Sequence, residues 1–580
     1  MSATPIMSRQ QDAPAADPAP ASKSPFLSVP DTVNFFGSQI GDETVINYSY
    51  TDSPWKIIRK DIYYFFYYIW ALPYIVFPFK PCDSGALSEL SPTSGNIFCI
   101  FVHTILVILQ LGFIFILFPL ALFIPLWTTI LLIGAFLVVN GLLCKLLNGS
   151  ADDTDIIFHS DPQYALPDQP RFAHEQWVFL NGVAVGSHWM KSNLNRLALT
   201  FGRPIVGIHN RTSGIVFDVI ECLVQRNLSY ATEDIRQCYR VMKEKLYDPQ
   251  YSKVVFIVHS QGGIEGGLVL DWLLQELPQD LLSKLEVYTF GNAANHFNNP
   301  FHTVGNQAKA EKRSVMGAKG VAGAVGLSGE KFESEHSKGY GHGNDGRHQA
   351  SNGFDHRRPP TPTSPFLLQT NIDQYSHPVV ETPISELPTT RPARAIRVIE
   401  HYAHTTDFVA LWGVIHFAAT PLASNMIPRF LGKLFAYESP NGSGGHQLVQ
   451  HYLDGMFPLQ RDPKTGRFVG AKEKGNAFME SYVTVCGKKR SLKGNKARRE
   501  DVLGTWLDTL EAQEGDEEGE VQMLTGDTAS MVRQKMGLCD QKVQVKELSR
   551  LWKYRNGRIP KDKPPFLKYG VDGAARNATL

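Results

Sequence analysis

The residues best placed to do chemistry stand in one short run, His259-Ser260-Gln261-Gly262-Gly263. The preceding Val254–Val258 is β-branched and aromatic, the composition of a buried parallel strand. The following Ile264–Leu277 reads as a helix that stops before Pro278. A serine on a sharp turn between strand and helix exposes its hydroxyl, and the next backbone N–H can face a developing oxyanion. Gly262 lets helix and strand approach closely. Ser260 is therefore the candidate nucleophile. The plain alternative is a helix N-cap, a common use of serine in such turns.

A serine hydroxyl is a weak nucleophile until a histidine takes its proton, and that histidine needs an acid to orient it. Asp407 follows a second apolar run, Ala395–Glu400, and stands where a late strand gives way to a loop. It is the candidate acid, with helix capping as its ordinary role; Asp271 and Glu265 fall inside the helix after Ser260 and suit the task less. Two bases are open. His446 follows the glycine-rich Gly442-Ser443-Gly444-Gly445 and is preferred, while His451 lies further along beside Tyr452. His401, His404 and His416 read as structural or surface residues. Two backbone N–H groups should receive the oxyanion: that of Gln261, and that of Val183 in the loop after Trp177–Leu180, where Gly182 permits an unusual turn.

The elements that carry these residues alternate short apolar runs with helix-like stretches over 172–300, the pattern of an α/β sheet with crossover helices. The domain is expected to span 151–300 and 393–460. Between its parts, 301–392 turns to Gly, Ser, His and Pro and reads as a disordered polar insertion. Its irregularly spaced histidines, with no cysteine near, are a poor metal site. The first 55 residues read as a disordered tail, and 461–580 as a charged, mostly solvated extension against which Val545–Tyr554 could dock as a helix.

Charged residues make up only 19% of the chain, and the deficit has one source: Leu90–Cys144 contains no Asp, Glu, Lys or Arg. It holds two apolar runs, about 97–118 and 120–143 and divided at Pro119, each long enough to cross a bilayer. A buried soluble hairpin is the alternative. The tyrosine-rich run 62–79 reads as an interfacial segment rather than a third span. Lys56, Arg59, Lys60, Lys80 and Lys145 flank these segments, which leans the domain toward the cytosolic side of an endomembrane such as the endoplasmic reticulum. A net charge of +1 excludes recognition of nucleic acid through a strongly basic surface, and seven cysteines do not make a disulfide scaffold. Nothing in the pattern specifies an oligomeric state.

Taken in order, FLNGVAVG, VVFIVHSQGG, VYTFGN, RVIEHYAHTTDFVA and GGHQLVQHYL resemble the α/β-hydrolase superfamily, in particular its fungal lipase-like and serine esterase branch. The likeness covers 172–300 and 393–459. It implies a mostly parallel sheet with flanking helices, here preceded by a transmembrane hairpin, and ester or thioester cleavage through an acyl-serine with no cofactor and no metal. Val258 at the first glycine position of the serine turn and Asn181 where many members have histidine depart from the family pattern. The partners expected are the lipid bilayer and an ester or acyl substrate, with no nucleic acid. An acyltransferase using the same three residues, or a catalytically silent membrane scaffold, are the alternatives.

Overall fold

The computed structural model describes residues 33–36, 53–79, 83–149, 156–166, 170–300, 394–419, 431–438, 444–488 and 538–560. At its centre is one eight-stranded sheet: β1 (Val33–Phe36), β2 (Ile157–His159), β3 (Glu175–Leu180), β4 (Val206–Ile208), β5 (Lys253–His259), β6 (Leu285–Phe290), β7 (Val398–His404) and β8 (Lys433–Tyr437). Their spatial order is β1-β8-β7-β6-β5-β3-β4-β2. The six inner strands run parallel, and β1 and β2 close the edges antiparallel. The expected α/β class, with a mostly parallel sheet and flanking helices, is what forms.

Burial on both faces explains why the strands read as continuous apolar runs. Every residue of β5 is buried. Val254, Phe256 and Val258 join one core with α6 (Glu233–Tyr247) and α7 (Gly262–Glu276). Val255 and Ile257 point the other way, into a second core with α4 (Ser187–Phe201). After β3 the chain winds outward to β4, then returns past β3 to β5. The ends of β3 and β5 therefore flank a topological switch point, the usual place for a ligand on an open α/β sheet.

Two apolar helices lie in the chain between β1 and β2: α2 (Ser94–Phe123) and α3 (Leu126–Asn148). Both are long and apolar enough to cross a membrane, and most of their surface is exposed, with Phe115, Phe118, Phe123, Trp127 and Leu131 outermost. The break between them differs from expectation. Pro119 is carried inside α2, and the turn falls at Ile124–Pro125. Pro125 immediately precedes α3, where a missing N–H costs nothing.

The run 62–79 does not form a long helix. It splits between α1 (Pro54–Tyr67) and a 3-10 stretch, Ile69–Ile75, that absorbs Pro73. One side packs on the domain: Arg226 pairs with Asp61 at 2.8 Å, and Tyr68 Oη meets His416 Nδ1 at 3.1 Å. The other side leaves Tyr63, Phe66, Tyr67, Trp70 and Phe77 exposed.

Three expectations for the flanks need amendment or fall elsewhere. Val33–Phe36, inside the stretch read as a disordered tail, is edge strand β1; the remainder of 1–52 lies outside the described residues. The insertion 301–392 also lies outside them, although Ala395 N–H donates to Pro300 C=O at 2.9 Å, so the chain returns to where it left. The C-terminal part is not merely solvated. Its antiparallel pair β9 (Tyr482–Lys488) and β10 (Leu538–Gln544) leads into Leu551, Trp552 and Tyr554, all buried in the second core. Arg550 pairs with Glu286 at 2.8 Å, and its backbone N–H donates to Glu400. A buried carboxylate in each of β6 and β7 needs partners, and this segment supplies them.

Candidate active site

The turn after β5 forces Ser260 into left-handed backbone, φ 60°, unusual for a residue with a side chain. Close packing makes room for it. A Cβ on Gly182 would come within 2.4 Å of Ser260 Cβ, and one on Gly262 within 2.6 Å of Asn181 C=O. The departure at Val258 is accommodated from the helix side, where a Cβ on Gly266 would sit 3.1 Å from Val258 Cγ1. Ser260 N–H donates to Phe290 C=O at 3.0 Å, and Ala293 N–H donates to Ser260 C=O at 3.2 Å. The capping alternative fails on geometry: α7 begins at Gly262, and the Ser260 hydroxyl turns away from it toward His446.

Three sequence-predicted residues come together across long stretches of chain. His446 Nδ1 lies 3.0 Å from Asp407 Oδ2, and its Nε2 lies 2.8 Å from Ser260 Oγ. Against a carboxylate, Nδ1 must carry the proton, so Nε2 is the acceptor for the serine O–H. Asp407 is fully buried. Burial alone would raise its pKa, but the adjacent His446, the hydrogen bonds and Tyr452 hold it below the ordinary carboxylate value. Its two oxygens have different partners. Oδ1 caps the short helix Phe408–Trp412 by accepting from Val409 and Ala410 N–H, at 2.8 and 3.3 Å, while Oδ2 serves the histidine.

His451 is not brought to the serine. Its Nε2–H donates to Pro78 C=O at 3.0 Å and its Nδ1 accepts from Gln447 N–H at 3.0 Å. It ties the His446 loop to the end of the 62–79 segment. Further ties are Gln447 to Ile75 C=O at 3.0 Å, Gln450 to Pro78 C=O at 2.9 Å, and His446 N–H to Tyr74 C=O at 3.3 Å.

The two residues expected to supply the oxyanion donors lie close to Ser260. Gly182 abuts Ser260, which sets Val183 beside it, and Gln261 follows directly. Among the described residues, neither the Val183 nor the Gln261 N–H donates to a protein acceptor. Asn181 secures this loop: its amide donates to Asn210 C=O at 2.8 Å and its Oδ1 accepts from Asn210 N–H at 2.9 Å.

Several contributors were not foreseen. Tyr452, in a short π-helix (Leu448–Leu453), donates to Asp407 Oδ2 at 2.6 Å. A buried tyrosine requires a partner for its hydroxyl, which is the signal its sequence position carried. His259 stacks on His446, ring centres 4.8 Å apart, and its Nε2–H donates to the His446 C=O at 2.9 Å. Burial, helped by the His446 ring, pushes the pKa of His259 down to about 3, so it is a neutral prop and not a second base. Gly291, at φ 53°, passes so near that a Cβ would lie 2.7 Å from Asp407 Oδ2.

The arrangement is a hydrogen-bonded chain from the buried Asp407 carboxylate through the His446 imidazole to the buried Ser260 hydroxyl. Compared with family models, curated proteins and solved structures, the chain matches none.

Proposed function

We propose that this chain is a membrane-anchored serine hydrolase of α/β-hydrolase type that cleaves carboxylic esters, lipid or acyl esters foremost, through an acyl-serine. The observation that carries the reading is the in-line contact Ser260 Oγ–His446 Nε2, with Asp407 behind Nδ1. The order serine, acid, histidine along the chain supports it, as does the placement of the serine at the sheet's switch point. An intact relay also argues against a silent scaffold.

In the proposed reaction Ser260 Oγ bonds to the acyl carbon as its proton passes to His446 Nε2. The carbonyl oxygen becomes an oxyanion that accepts from the Val183 and Gln261 N–H groups. Collapse breaks the ester C–O bond, and the leaving alcohol takes the proton from His446. Water then attacks the acyl-serine, losing a proton to His446, which returns it to Ser260 Oγ as the acid departs. Asp407 holds the imidazole tautomer and stabilises its cation without becoming protonated.

A lipid substrate fits the surroundings. The His446 loop leans on the 62–79 segment, whose outer side is aromatic, and the apolar helices continue from it. The basic flanks favour the cytosolic face of an endomembrane, the endoplasmic reticulum being the leading candidate.

The test is labelling of detergent-extracted full-length protein with a fluorophosphonate probe. Wild type should label and Ser260→Ala should not. Folded protein that stays unlabelled would sink the enzyme reading. Product analysis with a glyceride ester, with and without an added alcohol, separates release of free acid from transfer to the alcohol.

A further inference from the structure

The polar residues that interrupt the apolar hairpin are not scattered. His103 and Gln110 on α2 and Asn140 on α3 are all buried, and all turn toward the domain. Polar side chains on membrane helices are costly and rarely idle. His103 reaches Ala184, in the loop after β3, directly, while Gln110 and Asn140 reach it through Ser213 and Asp218.

Ala184 has φ 66°, left-handed backbone that an alanine adopts only when its surroundings impose it. It is gripped at both ends. Its C=O accepts from His103 Nε2–H at 2.9 Å, and its N–H donates to Asp218 Oδ2 at 3.0 Å. His103 Nδ1 has no partner among the described residues, and the ring lies flat on Trp189 of α4, 5.4 Å between centres and 10° apart. Asp218, in the first turn of α5 (Ile215–Leu228), is aimed by Thr212 Oγ1–H and Ser213 N–H, each at 2.7 Å. Ser213 C=O in turn accepts from Gln110 at 2.7 Å and Asn140 at 3.2 Å, and those two amides bond each other at 2.9 Å. Both grips on Ala184 therefore lead back to the hairpin.

We propose that His103 and Asp218 are positioning residues which hold Ala184, and through it the Val183 N–H, in the orientation that receives the oxyanion. The apolar hairpin is on this account a structural part of the active site as well as an anchor. The proposal rests on the serine hydrolase reading. Val183 and Ala184 are consecutive, so relaxing φ of Ala184 toward ordinary values turns the peptide plane next to the donor. An oxyanion donor works only if it is aimed at the developing charge beforehand.

Two variants separate aiming from mere packing. His103→Phe keeps an aromatic ring on Trp189 and suits an apolar helix, but cannot donate. His103→Gln loses the ring and keeps a donor near the position of Nε2. Full-length proteins in micelles would be assayed with p-nitrophenyl butyrate, a short ester that needs no bilayer, together with fluorophosphonate labelling rates and thermal unfolding. We expect His103→Phe to lower kcat roughly ten- to a hundredfold, short of the loss of a whole donor, with KM within about twofold. His103→Gln should regain most of that rate. A His103→Phe protein that turns over and labels at the wild-type rate overturns the proposal. So does equal impairment of both variants in step with a lowered unfolding midpoint, which would mark a structural role only. Failure of wild type itself to label rejects the hydrolase reading, and this inference with it.

Discussion

Tyr452 Oη and His446 Nδ1 donate to the same oxygen of Asp407, at 2.6 and 3.0 Å. The other oxygen is occupied by two backbone N–H groups, so the carboxylate has no freedom to rotate away from the imidazole. The tyrosine thereby fixes the carboxylate, as the carboxylate fixes the imidazole.

Replacing Tyr452 with Phe should accordingly weaken turnover without weakening binding. A hydrogen bond to a buried charge is worth about 1.5–3 kcal/mol, so kcat should fall by roughly ten- to a hundredfold while KM holds. Asp407→Asn, which reverses the imidazole tautomer, should cost on the order of ten-thousandfold. A Tyr452→Phe enzyme with unchanged kcat would show that the backbone donors alone suffice.

The two candidate bases should part company on mutation. His446→Ala removes the proton acceptor, and labelling by a fluorophosphonate should drop by a factor of about a thousand or more. His451→Ala cuts the tie between the His446 loop and Pro78, and a loss of about tenfold is expected from looser positioning of His446. Comparable losses in both would contradict the assignment of roles.

Gly182 offers a test of backbone approach. A methyl group there would overlap Ser260 Cβ at 2.4 Å, so Gly182→Ala must displace either the nucleophile or the oxyanion loop. Labelling should fall by roughly a hundredfold or more while circular dichroism stays that of the wild type. Normal labelling by this variant would mean that the loop can yield.

Acidity should act on stability through Glu89. Burial raises its pKa from 4.5 to about 7, although Val449 N–H donates to it at 3.0 Å. A raised folded-state value means the protonated form is the better accommodated one. The contribution of this group is fully present below about pH 4.5 and is lost as the pH rises through 7, a difference of at most about 3 kcal/mol. Thermal unfolding of Glu89→Gln in detergent, measured from pH 5 to 8, should therefore vary less than that of wild type. Parallel curves would refute the assignment.

Arg550 should prove part of the domain. Arg550→Ala strips the 2.8 Å ion pair from Glu286, whose side chain is fully buried, and a loss of about 3 kcal/mol is expected. An unfolding midpoint equal to that of wild type would return the C-terminal segment to the status of an appendage.

How much of this could be read from the sequence depended on the range of the interactions. Ser260 was legible because strand, turn and helix are consecutive, and local chemistry names each of them. Asp407 and His446 were legible because a late strand and a glycine-rich loop announce the ends that carry them. Tyr452 was not, since its meaning lies in a contact with a residue 45 positions away. His103 reads in the sequence only as a polar interruption of an apolar run; its partner is 81 positions distant. In the charged C-terminal segment the docking of Val545–Tyr554 was legible, but not the place where Leu551, Trp552 and Tyr554 are buried. The better clue lay elsewhere, in Glu286 and Glu400 set within otherwise apolar strands, where a buried carboxylate demands a donor from another part of the chain.

The edge strand β1 has a consequence for the whole molecule. The chain lies in the sheet at Val33–Phe36, leaves it for the apolar helices, and is back in the same sheet at Ile157–His159. A sheet cannot straddle a bilayer, so between those points the number of crossings must be even. An odd count, with a third span made from 62–79, is incompatible with this pairing. It follows that whatever compartment receives residue 33 also receives Ser260. An epitope at the amino terminus, tested for protease access in sealed microsomes, would report the side on which Ser260 lies.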